Sequence, residues 1–545
     1  MKKWSTPQQI AALLSDLIRI PSTSESEAEA EFPLFITQQL SELDYYRQHP
    51  EYLQSHPTGD GRTLVTALVK SQIPTARTII VLSHFDVVEV DCYGDWKPFA
   101  FDVEKLTELF HSNKERLPEK VRADIETDDW IFGRGVMDMK CGLALQMSMI
   151  ERACHGEFDG NLLLLAVPDE EVNSVGMRAS IPVLLELAER HGLEYALLIN
   201  SESHFGDGDE SGRYLEKGSI GKALPGFLCY GKETHVVYPF KGLNGNYMAA
   251  EITAELEMDT AFCEHVEGQS TPPPTNLIQH SLMNAYSVTI PYRAVTMSNL
   301  LLLEKSVDQL IEPLLDVARR AAARIEQKYH ARASAYLGDS SEETNIQVKV
   351  MTYEELLRYA HQTYGEEQVT AVIQEALHRN PEADDRGNTS AVVDALSLLC
   401  KALSPMIVLF FAPPYYPPNS SYQSQMVSEI CNSLSEYALA HHHFELHHAN
   451  FHSAMTDLSY VGSTSGTLSH DRLADNMPLW NNGYSIPLKE MEQLAIPVMN
   501  LGPYGKDAHK WTERLNVHYA FVTMPDLLST CITKALAAGA STQTV

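Results

Sequence analysis

Long apolar runs are missing from this 545-residue chain, and with them any segment able to cross a bilayer as a helix, which needs roughly 20 consecutive apolar residues. Basic residues are scarce as well: 41 Lys and Arg stand against 72 Asp and Glu, a formal net charge of −31. Repulsion of phosphates at that charge disfavours nucleic acid and anionic membranes as partners. Cationic substrates would be attracted, although an acidic balance is common in cytosolic enzymes. The eight cysteines are dispersed and include no Cys-x-x-Cys pair, so neither a disulfide framework nor a thiolate zinc site is expected. An unbroken apolar leader is absent too. Ile10, Leu13, Leu14, Leu17 and Ile18 have helical spacing behind a Thr6 cap and Pro7, and Ser15-Asp16 interrupts them. The expectation is a reduced, cytoplasmic protein.

What is present is an ordinary globular composition, 44% hydrophobic and 21% charged, in a chain too long for one core. Three apolar runs stand out: Thr78–Ser83, Asn161–Val167 and Tyr195–Ile199. Runs of that length, bounded by turn residues and separated by helical stretches, read as buried strands of a parallel sheet. Each is followed at once by ligand-type residues: His84-Phe85-Asp86, Asp169-Glu170-Glu171 and Asn200-Ser201-Glu202. In such sheets ligands gather beyond the carboxyl ends of the strands. Taken singly, each cluster reads equally well as a solvated turn. Their equivalent placement on three strands, with Gly133-Arg134-Gly135-Val136-Met137-Asp138-Met139-Lys140 between them and His509 near the end, points to one metal site.

The chain resembles the di-zinc amidohydrolases and peptidases, the family of aminoacylase, carboxypeptidase G, peptidase T and acetylornithine deacetylase, and within it the bacterial arginine-utilization group of deacylases. The resemblance is carried by His84-x-Asp86, Trp96-x-Pro98-Phe99, Gly133-Arg134-Gly135-x-x-Asp138-Met139-Lys140, Asp169-Glu170-Glu171 and His509-x-x-x-Glu513. It implies that His84, Asp138 and Glu202 hold one metal ion and Asp138, Glu171 and His509 the other, with Asp138 bridging and a cis peptide after it. Two divalent ions bring four positive charges, which three carboxylates and a bridging hydroxide cancel, so the cluster is neutral in a poorly solvated cleft. Zinc suits such ligands, with cobalt or manganese as alternatives. The resemblance makes Glu170 the general base and Asp86 the partner that orients the His84 imidazole.

About three hundred residues separate Glu202 from His509, more than one crossover needs. The expected architecture is α/β: a mainly parallel sheet flanked by helices over 1–213 and 353–545, with a ferredoxin-like α+β domain inserted at 214–352. The insert reads as strand, helix, strand, helix and strand over Tyr214–His235, Gly242–Met258, Ala285–Val295, Leu302–Gln327 and Ile346–Met351. In the resembled family such an insert serves as a lid or dimerization domain, and its His, here His235, donates to a developing oxyanion. Arg293 is a candidate for a substrate carboxylate, with a surface salt bridge as the equal alternative. Asn276 and Asp457 are further substrate-binding candidates. Pro413-Pro414-Tyr415-Tyr416-Pro417-Pro418 reads as a rigid loop. The His-rich tract from His441 to His452 reads as a surface turn, and Asp102–Asp129 as a charged helical insertion.

The functional expectation is a metal-dependent hydrolase of an N-acyl amino acid or a short peptide. Deacylase and exopeptidase chemistry are the same and stay unseparated. A catalytically silent metal-binding regulatory protein and a hydrolase of ureido amides are the alternatives. The expected partners are the substrate and, through the inserted domain, a second copy of the chain.

Overall fold

The computed structural model describes residues 2–127, 129–204, 213–283, 287–338, 346–379, 383–462 and 471–538. They form two compact units: Met1–Ile220 with Asn419–Thr467 and Pro487–Val545, and Gly221–Pro418 with Leu468–Ile486. Among the described residues no helix is long and apolar enough to cross a membrane, and the eight cysteines are free thiols.

The first unit is built on the apolar runs. Ile79–Leu82 and Leu162–Val167 are apolar at every position and fully buried, so neither face of either strand can be left to water. They occupy the centre of an eight-stranded sheet ordered Leu53–Pro57, Thr63–Val69, Asn161–Val167, Arg77–His84, Glu194–Asn200, Val498–Asn500, Tyr214–Glu216, His447–Ala449. The four central strands run parallel. Thr63–Val69 and Leu53–Pro57 add an antiparallel hairpin at one edge. The helix Lys140–Cys154 is buried along almost its whole surface, as a helix without a polar face must be. Pro7–Ile18 begins with a capping box, in which Thr6 and Gln9 exchange side-chain to backbone hydrogen bonds. The charged segment after Asp102 forms the helices Val103–Ser112 and Glu119–Ile125. Its Asp124 binds Lys506 at 2.9 Å and Arg514 at 2.8 Å.

The second unit departs from the sequence expectation in extent. It begins at Gly221 and runs past 352 to Pro418. Its sheet is ordered Thr275–Ser281, Arg293–Leu302, Gly221–Tyr230, Met406–Tyr416, Lys349–Thr352. Without Met406–Tyr416 this is the strand order of a ferredoxin-like βαββαβ layer, with Gly245–Leu256 and Val307–Leu337 as its helices. Met406–Tyr416 enters between the first and last strands of that motif, antiparallel to Gly221–Tyr230 and parallel to Lys349–Thr352. The reason is burial. Met406–Phe411 is a continuous apolar run, and only a central position covers both of its faces. The Pro-Pro pair is part of this strand and not the start of a loop. The ladder shifts register between Ala412 and Tyr416, so no hydrogen bond is asked of the prolines. The Tyr415 N–H donates instead to the Tyr484 hydroxyl at 3.0 Å. The strand expected to begin at Ala285 begins at Arg293; residues 284–286 lie outside the described residues.

Phe410 is fully buried, and a Cβ on the facing Gly226 would lie 2.4 Å from its ring. Phe410→Ala is therefore expected to destabilise the second unit by about 3–5 kcal/mol, read as a lower urea midpoint. An unchanged midpoint would contradict the central placement of this strand.

Candidate metal centre

Three parallel strands end level, because His84 is the register partner of Val167 and Leu82 that of Asn200. The loops after them carry Asp86, Glu170, Glu171 and Glu202 to one place. Asp138 arrives from the turn ahead of the helix Lys140–Cys154, through an Asp138–Met139 peptide that is cis. His509 sits between the short strands Gly505–Lys506 and Arg514–Asn516, with a left-handed φ of 64°.

These side chains converge around Asp138. Its Oδ1 lies 3.3 Å from His84 Nε2 and its Oδ2 2.9 Å from His509 Nε2. Glu202 Oε2 is 3.4 Å from His84 Nε2, and Glu171 Oε2 is 3.1 Å from His509 Nε2. Each imidazole thus faces one oxygen of Asp138 and one further carboxylate. Glu170 Oε2 stands slightly off, 3.9 Å from His84 Nε2. His84, Asp138 and Glu171 alone already form a set whose ligand atoms lie within 4.8 Å of one another.

The framework fixes these groups from behind. Asp86 accepts the N–H of Glu170 at 3.0 Å and of Glu171 at 3.2 Å, and its carbonyl faces His84 Nδ1 at 3.1 Å. The Asp86 carboxylate therefore holds the Glu170–Glu171 turn, while its backbone carbonyl faces the His84 imidazole. Arg134 and Glu513 form a buried pair at 2.6 Å. Arg134 Nη2 donates to the His509 carbonyl at 3.1 Å, and Glu513 accepts the Met137 N–H at 3.2 Å, so the pair joins the loops of His509 and Asp138. Asn500 clasps Glu202 by accepting its N–H at 2.9 Å and donating to its carbonyl at 2.8 Å. A Cβ on Gly502 would stand 1.9 Å from that carbonyl, which reserves the position for glycine. Neither the Arg134–Glu513 pairing nor the role of Asn500 is visible from motif spacing; both join residues about three hundred or more positions apart.

The charges on the site are out of balance. Burial pushes Glu202 up to about 8, with Asp138 adding to the rise. Burial raises Glu170 well above the carboxylate range, and although His84 opposes this, Asp457, Glu171 and Glu202 reinforce it. Glu171 is raised by burial and by Asp138. Burial works against charge on His509, yet hydrogen bonds to Asp138 and Glu171 lift it to about 11. Asp138 is held low in spite of burial, because both imidazoles bind it. In addition, His84 Nε2 and Glu202 Oε1 are buried without a well-formed hydrogen bond. Two imidazoles and three carboxylates facing one another, with His84 Nε2 and Glu202 Oε1 short of a well-formed hydrogen bond, fit a pair of divalent ions.

The remaining candidates are distributed between the units. Asp457 is buried in the first unit, where burial pushes its carboxyl up to about 7 and Asp86 and Asp169 add to the rise against the pull of His84 and Ser174. His235 lies exposed in the second unit, its Nδ1 accepting the Val237 N–H at 3.3 Å. Arg293 pairs with Asp394 at 2.5 Å. Asn276 spends its amide protons on Thr296 at 2.7 Å and the Met297 carbonyl at 3.0 Å. In the His-rich tract, His441 and His447 are exposed, whereas His452 is fully buried against the Ser203 carbonyl at 3.0 Å.

Residues 80–461 match the family model described as Peptidase family M20/M25/M40. The chain belongs to that family. Over 539 residues it is 41% identical to protein YqjN of Bacillus subtilis, covering 98% of this chain and 97% of that one. It is 28% identical to protein RocB of the same organism, covering 96% and 94%. A succinyl-diaminopimelate desuccinylase of Methylorubrum populi is 26% identical over 299 residues, 52% of this chain and 67% of its own. Among solved structures, a tripeptidase from Staphylococcus aureus aligns over 98% of both chains with a TM-score of 0.51 at 12% identity, a likeness of fold. This M20/M25/M40 protein is a hydrolase of amide bonds in peptides or acyl amino acids.

For the metal-free enzyme the pKa shifts set a direction. Glu202, Glu513 and Asp457 are raised to about 8, 7 and 7, and His509 to about 11. A group raised on folding adds stability below its unfolded value and loses it as pH climbs through its folded value. With chelator present, melting temperature should fall between about pH 5.5 and about pH 8. Added zinc should raise it more at the higher pH, where the ligands are more easily deprotonated. Rising stability of the chelated protein over that window would contradict these environments.

Proposed function

We propose that the enzyme hydrolyses an N-acyl amino acid or a short peptide with two divalent ions, zinc in the first instance, and with Glu170 as general base. The observation that carries this reading is the division of labour around Asp138: His84 and Glu202 stand on one side, His509 and Glu171 on the other. Glu170, whose N–H is held by Asp86, is left beside the cluster.

When bound, a pair of divalent ions polarises a scissile carbonyl and lowers the pKa of water towards neutrality. His84, Glu202 and Asp138 would hold one ion, and His509, Glu171 and Asp138 the other. The chain's own contribution is proton handling and orientation. Glu170 takes a proton from the attacking water and returns it to the leaving nitrogen. A carboxylate beside the cluster suits that task, since it can accept the proton of the attacking water and, once protonated, pass it to the departing amine. Asp86 fixes the His84 ring and the turn carrying Glu170, and the Arg134–Glu513 pair keeps the two metal-ligand loops in register.

The second unit enters this reading as a lid or dimerization domain, with its His235 donating to the oxyanion and its Arg293 and Asn276 contacting substrate, and Asp457 of the first unit is a further substrate contact. The roles of the domain, His235, Asn276 and Asp457 rest on the family resemblance; that of Arg293 rests on its guanidinium, which pairs with Asp394. The link to arginine derivatives rests on the resemblance as well.

Glu170→Gln is expected to lower kcat by about 10²–10⁴-fold while two metal equivalents stay bound, as measured by elemental analysis. Turnover near wild type would displace Glu170 from the role of base. His509→Ala should lose one metal equivalent and most activity; unchanged metal content would remove His509 from the site. A panel of N-acyl amino acids, arginine derivatives among them, and dipeptides, run with zinc, cobalt or manganese, separates deacylase from peptidase.

A further inference from the structure

We infer that Arg62 is a positioning residue for Glu170, acting through Asp169; the inference rests on the reading of Glu170 as the base. Arg62 lies at the mouth of the hairpin formed by Leu53–Pro57 and Thr63–Val69. Thr63–Val69 runs antiparallel to Asn161–Val167 with Val65 opposite Ala166. Continued past the strand ends, that register brings position 62 opposite position 169. The side chains meet there, Arg62 Nη1 lying 2.6 Å from Asp169 Oδ1.

The same guanidinium reaches two more carboxylates. Nη1 is 3.1 Å from Glu29 Oε2, and Nε and Nη2 are 2.8 and 2.5 Å from Asp60 Oδ2. Glu29 and Asp169 are buried, so Arg62 is the cation that makes their burial tolerable. A lysine cannot reproduce this, because one ammonium has no planar fork to share among three acceptors.

Asp169 in turn fixes the loop that carries the base. Its backbone is left-handed, φ 71°, a conformation that costs free energy for a residue with a Cβ. The loop is closed by the Asp169 carbonyl, which accepts the N–H of Asn173 at 3.1 Å and of Ser174 at 2.6 Å, and by Asp169 Oδ2, which accepts that of Val175 at 3.0 Å. One carboxylate oxygen therefore faces Arg62 and the other closes the turn. Asp86 grips the Glu170 and Glu171 amides from the opposite side. Without Arg62, Asp169 and Glu29 are buried anions with no counter-charge. Asp169 then turns to water, the Val175 bond is lost, and the 169–175 loop is held only from the Asp86 side, through the Glu170 and Glu171 amides, so that the Glu170 side chain loses its aim.

The test is Arg62→Met and Arg62→Lys in the zinc-loaded full chain. Amide exchange across residues 169–175, zinc content, and kcat and KM on the panel substrate that wild type hydrolyses fastest are the readouts. For Arg62→Met the loop amides should exchange at least about tenfold faster, with kcat about 10–100-fold lower, KM within about twofold and two zinc equivalents retained. Arg62→Lys should fall between this variant and wild type. Wild-type exchange and kcat in either variant overturns the inference, as does exchange that rises equally across the chain with zinc lost, which would make Arg62 a stability residue. If Arg62→Met does not fold, Arg62→Lys decides alone by the same readouts. Glu170→Gln in parallel separates the two claims: turnover there sinks the assignment of the base, whereas a dead Glu170→Gln beside a fully active Arg62→Met sinks only this inference.

Discussion

Crowding carboxylates into a space from which water is largely excluded is the constraint this structure is organised around. Asp86, Asp138, Glu170, Glu171, Glu202 and Asp457 share one region of the first unit, and each would by itself prefer solvent. The local cations are imidazoles, which face Asp138 from both sides. The fold answers with hydrogen bonds from rigid backbone, with buried ion pairs behind the ligands, and with a donor set that accepts external positive charge. A site assembled in this way needs surroundings stiff enough to keep like charges together.

That stiffness comes from residues outside the ligand set. Asp86, Asn500 and the Arg134–Glu513 pair each hold two things at once: a ring and a turn, the N–H and carbonyl of one residue, or two loops. The glycine at 502 is part of the same arrangement, since the chain passes too close to the Glu202 carbonyl for any side chain. The clustered carboxylates and imidazoles are therefore placed largely by the level ends of three parallel strands and then locked by groups that carry no signature of their own.

The central strands of the first unit are legible in the sequence. Apolar runs such as Leu162–Val167 are legible as central strands because burial on both faces leaves no polar positions, and ligand-type residues that directly follow such runs share the same sheet edge. The capping box at Thr6 is equally local, and local signals survive in sequence. Three features did not. The boundary of the second unit is not legible, because Met406–Phe411 has the same apolar character in either sheet and composition cannot say which one receives it. The prolines at 413 and 414 read as a rigid loop, since nothing in the sequence announces a register shift that relieves them of hydrogen bonding. Arg134 with Glu513, and Asn500 with Glu202, meet across most of the chain, and only strand order brings them together.

Strand order also dictates a sequence of events during synthesis. Every strand and helix of the second unit is complete once Ile486 has been made, whereas Val498–Asn500, which lies between Glu194–Asn200 and Tyr214–Glu216, leaves the ribosome later. Domains generally fold as units while the chain is still growing, so the first unit must keep a gap in its sheet until the insert behind it is finished. Asn500 and His509 belong to that final stretch. The cluster of carboxylates and imidazoles is consequently incomplete until almost the whole polypeptide has been translated.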